Sequence, residues 1–135
     1  MGYKIEEIEG IGPANAKKLA KANIKSTNAL LKLCCDRKGR KAIAATTGCT
    51  EKQLLKWANM ADLMRIRGIG QEFSELLEAA GVDTVKELRK RRADNLTKKM
   101  AEVNGKKKLT RRVPAQSMVE RWVAQAKELP PVISH

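Results

Sequence analysis

Histidine and aromatic residues are both scarce in this sequence. The single histidine is His135, and aromatic side chains make up only 3% of the 135 residues. Most catalysis and metal binding by histidine is therefore excluded, as is a platform of rings for stacking single-stranded bases. No apolar run approaches the roughly 18 residues that a bilayer span needs, and we recognise no signal-peptide core. We therefore expect no membrane partner.

Cysteine is also scarce, and its number is odd. Cys34 and Cys35 are adjacent and Cys49 is the third, so we expect no disulfide framework and a reducing, cytoplasmic location. Three thiols without a nearby histidine do not complete a tetrahedral zinc site. The sequence accordingly predicts no metal and no other cofactor. It also contains no cluster of nucleophile, base or metal ligands, so we expect that the protein is not an enzyme.

Positive charge is abundant. The chain has 28 Lys and Arg against 15 Asp and Glu, a net charge of +13, and residues 86–112 alone hold 12 basic and 3 acidic side chains. This excess favours a polyanionic partner, above all nucleic acid. Basic residues are densest in two clusters. The first basic cluster is residues 89–92, and the second is residues 106–112. The second lies between Asn104 and Pro114, which predicts a mobile basic loop. The predicted contacts in these clusters are Arg89, Arg91, Arg92, Lys106, Lys107, Lys108, Arg111 and Arg112. The alternative is an ordinary solvated surface.

A sequence repeat is the most informative feature. Gly10-Ile11-Gly12 recurs as Gly68-Ile69-Gly70, and the same register then continues without gaps. Matching pairs include Leu19 with Leu77, Asn23 with Gly81, Ser26 with Thr84 and Leu30 with Leu88. Such a pattern predicts two repeated units, 1–64 and 65–135. The second unit is expected to contain the basic loop and to end in a frayed C-terminal tail.

The periodicity throughout is helical. No stretch alternates with the period of a strand, and Thr50 with Gln53 and Thr84 with Glu87 are spaced as capping boxes. Trp57 and Trp122 occupy equivalent places on two apolar helical stripes, which indicates core positions. The predicted fold class is all-α, with two pseudo-repeated helix-hairpin-helix units forming a compact helical domain.

The repeated segment, aliphatic-x-Gly-Ile-Gly, resembles the helix-hairpin-helix motif. In that family the motif binds the DNA backbone without reading sequence, and the resemblance implies the same for Gly10, Ile11, Gly12, Gly68 and Gly70. The whole chain also resembles a family of small bacterial proteins of unknown function that carry this motif in tandem. The matching stretches are residues 39–44, 62–70, 79–88 and 122–127. That second resemblance implies a fold and not an activity.

The two hairpins are followed by residues of opposite charge. The first continues with Lys17, Lys18 and Lys21, which attract phosphate, whereas the second continues with Glu75 and Glu78, which repel it. The first hairpin is therefore the better candidate for a phosphate contact. The second is predicted to be mainly a structural connector.

We therefore expect a protein that binds nucleic acid through its backbone, with duplex DNA favoured over single strands. The alternative is a helical adaptor with a protein partner, in which both hairpins are purely structural. A third and weaker hypothesis is an accessory domain for small ligands or acidic partners. The oligomeric state stays open.

Overall fold

A computed structural model describes residues 3–135 of the chain. In this range all regular secondary structure is helical, apart from one isolated bridge between Lys4 and Ser26. The predicted all-α class is confirmed. A 3-10 helix at Ile5–Glu7 precedes α1 (Gly12–Ala20), α2 (Thr27–Cys34), α3 (Arg37–Thr47), α4 (Glu51–Leu63), α5 (Gln71–Ala79), α6 (Val85–Leu88), α7 (Ala93–Lys107) and α8 (Gln116–Glu128).

The chain divides into two compact units. The first ends at Asp62 and also takes in Val132–His135, and the second is Leu63–Pro131. The boundary lies two residues before the one drawn from the sequence. The last four residues group with the first unit, although they follow the second unit in the chain.

Aliphatic side chains and helix caps define the first unit. Ile5, Ile8 and Ile11 are buried, with α1 against the 3-10 helix and α2 against α3. Ser26 caps α2, since its Oγ accepts from the Ala29 N–H at 3.1 Å. At the start of α4 the predicted capping box of Thr50 and Gln53 is present, because each side-chain oxygen accepts from the other residue's N–H at 3.0 Å.

The second unit is organised around one hydrophobic core. In this unit α7 packs against α5 and α8, and α6 packs against α8. Trp122 is 2% exposed, and its ring lies 5.2 Å from that of Phe73 at a tilt of 53°. Trp57, in the first unit, is 3% exposed, so the predicted burial of both tryptophans is confirmed.

The C-terminal tail, expected to be frayed, is hydrogen-bonded to the first unit. The Ser134 N–H donates to the Cys35 carbonyl at 2.8 Å. Arg40, only 3% exposed, donates to the Cys34 carbonyl at 3.0 Å and to the Ser134 carbonyl at 2.7 Å. Its guanidinium therefore joins the C-terminal end of α2 to the tail.

The predicted basic loop is in part a helix. The Asn104-Gly105 pair indicates a turn, but α7 continues through Lys107 and ends at Lys108, which has a φ of +51°. The Asn104 side chain accepts from the Thr110 N–H at 2.9 Å and donates to the Thr110 carbonyl at 3.1 Å. These two bonds join the loop that follows the helix to α7. The prediction of a loop is thus corrected for Lys106 and Lys107, which are helical.

The three cysteines are free thiols in different surroundings. Cys34 and Cys49 are buried, and Cys35 is half-buried. Burial is the main reason why the pKa of Cys34 is raised to about 11. At pH 8 roughly one Cys34 side chain in a thousand is then the reactive thiolate.

We expect one thiol, that of Cys35, to react with a disulfide reagent in the folded protein at pH 8. All three should react in denaturant, because unfolding exposes Cys34 and Cys49 and returns Cys34 to its ordinary acidity. Thiol titration with and without denaturant measures this. Cys35→Ser should abolish the reaction of the folded protein, and a second fast thiol in that variant would contradict the burial of the other two.

Trp122→Ala should lower the free energy of unfolding by about 3–5 kcal/mol, because it removes a buried indole from the core of the second unit. Urea unfolding followed by circular dichroism measures the change. Val113→Ala is the control, since Val113 is 41% exposed in the same unit and should change stability by less than about 0.5 kcal/mol. Equal stability of the wild type and the tryptophan variant would contradict the core position.

Candidate nucleic-acid interface

The first hairpin turns on two glycines with an isoleucine between them. Gly10 has a φ of +90° and Gly12 a φ of +66°, a region that side chains other than glycine seldom adopt. Ile11 is 2% exposed, and its N–H donates to the Ile8 carbonyl at 3.3 Å. The isoleucine thus fixes the turn to the core, and the glycines remain at the surface.

The surroundings of this hairpin are open. A Cβ added at Gly10 or Gly12 would meet no atom within 4 Å. No side chain caps the start of α1, where Pro13 occupies the first turn, and α1 has no acidic residue in that turn. Because the first amides of a helix lack intrahelical acceptors and lie at the positive end of its dipole, this terminus suits an anionic oxygen.

The three predicted lysines of this region are exposed. Lys17 and Lys18 lie in the last turn of α1, and Lys21 follows it directly. Lys17 is about 7.5 Å along the helix axis from Gly12, and the Cα–Cβ bonds of a helix tilt back toward its N-terminus. Lys17 and Lys21 share one face, since they are four residues apart. Glu6 and Glu7, which precede the hairpin in the sequence, are exposed carboxylates. The charge that favours a phosphate is therefore confined to the α1 side of the hairpin.

The second hairpin makes the same turn in a closed setting. Gly68 has a φ of +98°, and the N–H of buried Ile69 donates to the Ile66 carbonyl at 3.1 Å. A Cβ at Gly68 would lie 3.0 Å from Nε1 of Trp122 on α8. Gly70 is extended, with a φ of −110°, and Glu72 lies in the first turn of α5. The amides after this hairpin are therefore a poor place for phosphate.

Two arginines of the first basic cluster are engaged within the fold. Arg89 donates to the carbonyls of Ala126 at 3.1 Å and Leu129 at 2.7 Å, which caps the C-terminal end of α8. Arg91 donates to the Glu87 carboxylate and to the Gly81 carbonyl, both at 3.0 Å. The sequence predicted that both arginines contact nucleic acid. It did not predict their hydrogen bonds within the fold.

Arg92, the third predicted arginine, is exposed and carries an ion pair. Its guanidinium lies 3.0 Å from the Asp94 carboxylate. The hydrogen bond from the Asn95 N–H, together with Arg92, holds the pKa of Asp94 below its ordinary value. Asp94 therefore stays ionised and offsets part of the charge of Arg92.

A cavity of about 360 Å³ lies at the start of α7, with no carboxylate among its lining residues. It is lined by Lys90, Arg91, Arg92, Asn95, Leu96 and Lys99. Lys90 and Lys99 are exposed and were not among the predicted contacts. Their signal in the sequence is the spacing of seven to nine residues between the basic turn at 90–92 and Lys99 on the following helix. A count of charge alone does not reveal this spacing.

The second basic cluster lies at the surface. Lys106, Lys107, Lys108, Arg111 and Arg112 are all exposed. Lys106 approaches Glu102 at 4.0 Å, a weak surface pair. These side chains are therefore accessible to a polyanion, as the sequence predicts.

Further exposed basic side chains in the first unit were missed. Arg37, Lys38 and Lys41 lie on the surface of α3. Residues 10–50 contain nine basic side chains and one acidic side chain, Asp36. The net charge of the chain does not reveal this imbalance, because Glu6, Glu7 and Glu9 lie just before the segment.

Within residues 3–135, no three or more His, Cys, Asp or Glu side chains are grouped to hold a metal ion. In the same range, no helix combines the length and apolar character that a bilayer crossing requires.

The comparisons with known proteins give a family and no function. Residues 9–129 match a family described as a domain of unknown function, DUF4332. Searches of curated proteins and of solved structures found no significant match.

Gly10→Ala and Gly68→Ala should differ in their cost, because only one of the two sites is open. Both place a methyl group on a left-handed backbone, which costs about 1–2 kcal/mol. At Gly68 the methyl group also meets the Trp122 indole, which adds at least about 1 kcal/mol of overpacking. Urea unfolding of the matched pair measures the difference. Equal losses would show that the second hairpin is as open as the first.

Proposed function

The chain belongs to the DUF4332 family, and we propose that it binds the backbone of duplex nucleic acid, most favourably DNA, without reading base sequence. The observation that carries this proposal is the first hairpin. It combines an open turn, an uncapped helix start and the exposed side chains of Lys17, Lys18 and Lys21. Helix amides and lysine ammonium groups are the usual ligands of backbone phosphates.

Similar local geometry in the two units supports a tandem helix-hairpin-helix arrangement. The isoleucine of each hairpin donates to an aliphatic residue three positions earlier, at 3.3 and 3.1 Å. Asn23 and Gly81 both have positive φ, 59° and 95°, at the end of the following helix. Ser26 and Thr84 then cap the next helix in the same way. In the first unit only a 3-10 turn of three residues precedes the hairpin, which is a shortened form of the motif.

In the proposed mode, a phosphate oxygen accepts hydrogen bonds from the N–H groups in the first turn of α1, apart from Pro13, which has none. Lys17 and Lys21 neutralise phosphates along the strand. The exposed basic residues near the end of α7 are a separate set of candidate contacts in the second unit. Each neutralised phosphate releases counterions. The plot of log affinity against log salt concentration therefore becomes steeper by about 0.9 for each phosphate contact. Sequence plays no part, since no side chain is proposed to reach a base edge. Three free thiols are in keeping with a cytoplasmic location.

The adaptor hypothesis has one observation in its favour. The second hairpin is closed by Trp122 and followed by acidic residues, as expected of a purely structural connector. On this alternative, the first hairpin is also a connector and the basic surface serves solubility or an acidic protein partner.

Lys17→Glu with Lys21→Glu should lower affinity for a random-sequence duplex by about 100-fold near 100 mM salt, because two charge-assisted contacts become repulsive. The log-log salt slope should fall in magnitude by about 2. Fluorescence anisotropy with a labelled duplex at several salt concentrations measures both quantities. The effect should be the same on duplexes of different sequence.

Lys52→Glu with Lys56→Glu is the matched control. These lysines are exposed on α4, are also four residues apart, and give the same change in net charge. The control should keep most of the affinity. Equal losses in the two variants would contradict a local site, and no binding by the wild type at about 50 mM salt would favour the adaptor.

A further inference from the structure

Charge is distributed in opposite ways around the two hairpins. Glu9 precedes the first glycine pair and lysines follow it, whereas Arg67 precedes the second pair and Glu72 follows it. The side of the second hairpin that attracts an anion is therefore the side of Arg67. Arg67 precedes the hairpin, whereas the α5 amides that the helix-hairpin-helix resemblance implies as ligands follow it, beside Glu72.

A cavity of about 210 Å³ lies on this side, between the second hairpin and α8. Its lining residues are Arg67, Gly68, Met118, Arg121, Trp122 and Gln125. The two charged members are both arginines, and both are exposed. By contrast, the cavity lined by Asp94, Glu120 and Glu128 has charges of both signs and does not select for an anion.

The two arginines are free of competing carboxylates. Neither guanidinium forms an ion pair with any residue from 3 to 135. On α8 the residues three and four positions from Arg121 are Ser117, Met118, Ala124 and Gln125, none of them charged. Within one helical turn of Arg121 in either direction, no acidic side chain on the same face of α8 offsets this positive charge.

Gln125 on α8 joins the backbone of Arg67 to the helix that carries Arg121. Its side-chain oxygen accepts from the Arg67 N–H at 3.0 Å, and its side-chain nitrogen donates to the Arg67 carbonyl at 3.3 Å. Because Gln125 is one turn after Arg121 on the same helix, this clamp fixes the backbone of Arg67 beside Arg121. Two guanidinium groups on a fixed framework are well suited to a phosphate, since their planar forks donate in pairs.

We propose that Arg67 and Arg121, clamped by Gln125, form a second phosphate site, which binds the backbone of duplex nucleic acid. This inference rests on the proposed function. It assigns the second hairpin a binding role that does not depend on its amides, which lie beside Glu72. The two units then each contribute a phosphate contact, one through α1 and the other through the arginine cavity.

Arg67→Gln with Arg121→Gln should lower the magnitude of the salt slope by about 2 and weaken duplex binding at least about tenfold near 100 mM salt. Fluorescence anisotropy titration with a labelled random-sequence duplex measures both the salt slope and the affinity. Lys52→Gln with Lys56→Gln is the charge-matched control and should leave the slope within about 0.5 of the wild type. Urea unfolding of each variant establishes that the fold is retained.

The Trp122 indole gives a local readout that a structural role would not produce. Its ring lines the cavity, so its indole N–H resonance should shift when duplex is added to the wild type, while that of Trp57 should not. In the double glutamine variant the Trp122 resonance should stay in place. The same titration with inorganic phosphate separates a duplex site from a general phosphate site: a shift saturating at micromolar phosphate would overturn the assignment to duplex.

The outcomes separate this inference from the proposed function. If the wild type does not bind duplex at about 50 mM salt, both fail. If it binds, and the Lys17 and Lys21 variant loses binding while the arginine variant keeps its slope and affinity, the arginine site is wrong and the proposed function stands. Reduced slopes in both variants support both proposals.

Discussion

The burial of one isoleucine between two glycines is the constraint on which each unit depends. Ile11 and Ile69 are 2% and 0% exposed, and each is held by a hydrogen bond to an aliphatic residue that is itself buried. Such a turn needs left-handed backbone at Gly10 and Gly68, because a side chain there would be strained. The direction of the following helix, and hence the place of its first amides and charges, is set by this turn.

One kind of turn therefore supports two different surfaces. In the first unit nothing lies over the glycines, and the next helix has lysines. In the second unit the Trp122 indole nitrogen lies 3.0 Å from where a Cβ of residue 68 would be placed, and the positive charge comes from Arg67 and from Arg121 on α8. The hydrophobic requirement fixes the backbone and leaves the exposed positions free to differ. A comparison of the hairpins by their glycines alone would treat them as equivalent, although their electrostatic surroundings are reversed.

Local features of the sequence predicted most of the fold. The cap at Thr50 and the buried tryptophans depend on neighbours within a few positions or on helical periodicity. Contacts between distant residues were not predictable in this way. Arg89 reaches the end of α8 across 37 to 40 positions, and Gln125 reaches Arg67 across 58. For the candidate site, the exposed lysines followed from the sequence, whereas the sorting of arginines into internal and external ones required the structure.

The tail has a consequence for the order in which the protein is completed during synthesis. Arg40 donates to the carbonyl of Ser134, 94 residues later in the chain. At a translation rate of roughly 5–20 residues per second, that acceptor emerges on the order of ten seconds after the arginine, when the whole second unit has already been made. The guanidinium must stay hydrated in the meantime, because a buried arginine lacking its acceptor is costly. The first unit of the nascent chain thus reaches its final hydrogen bonding after the second unit has left the ribosome.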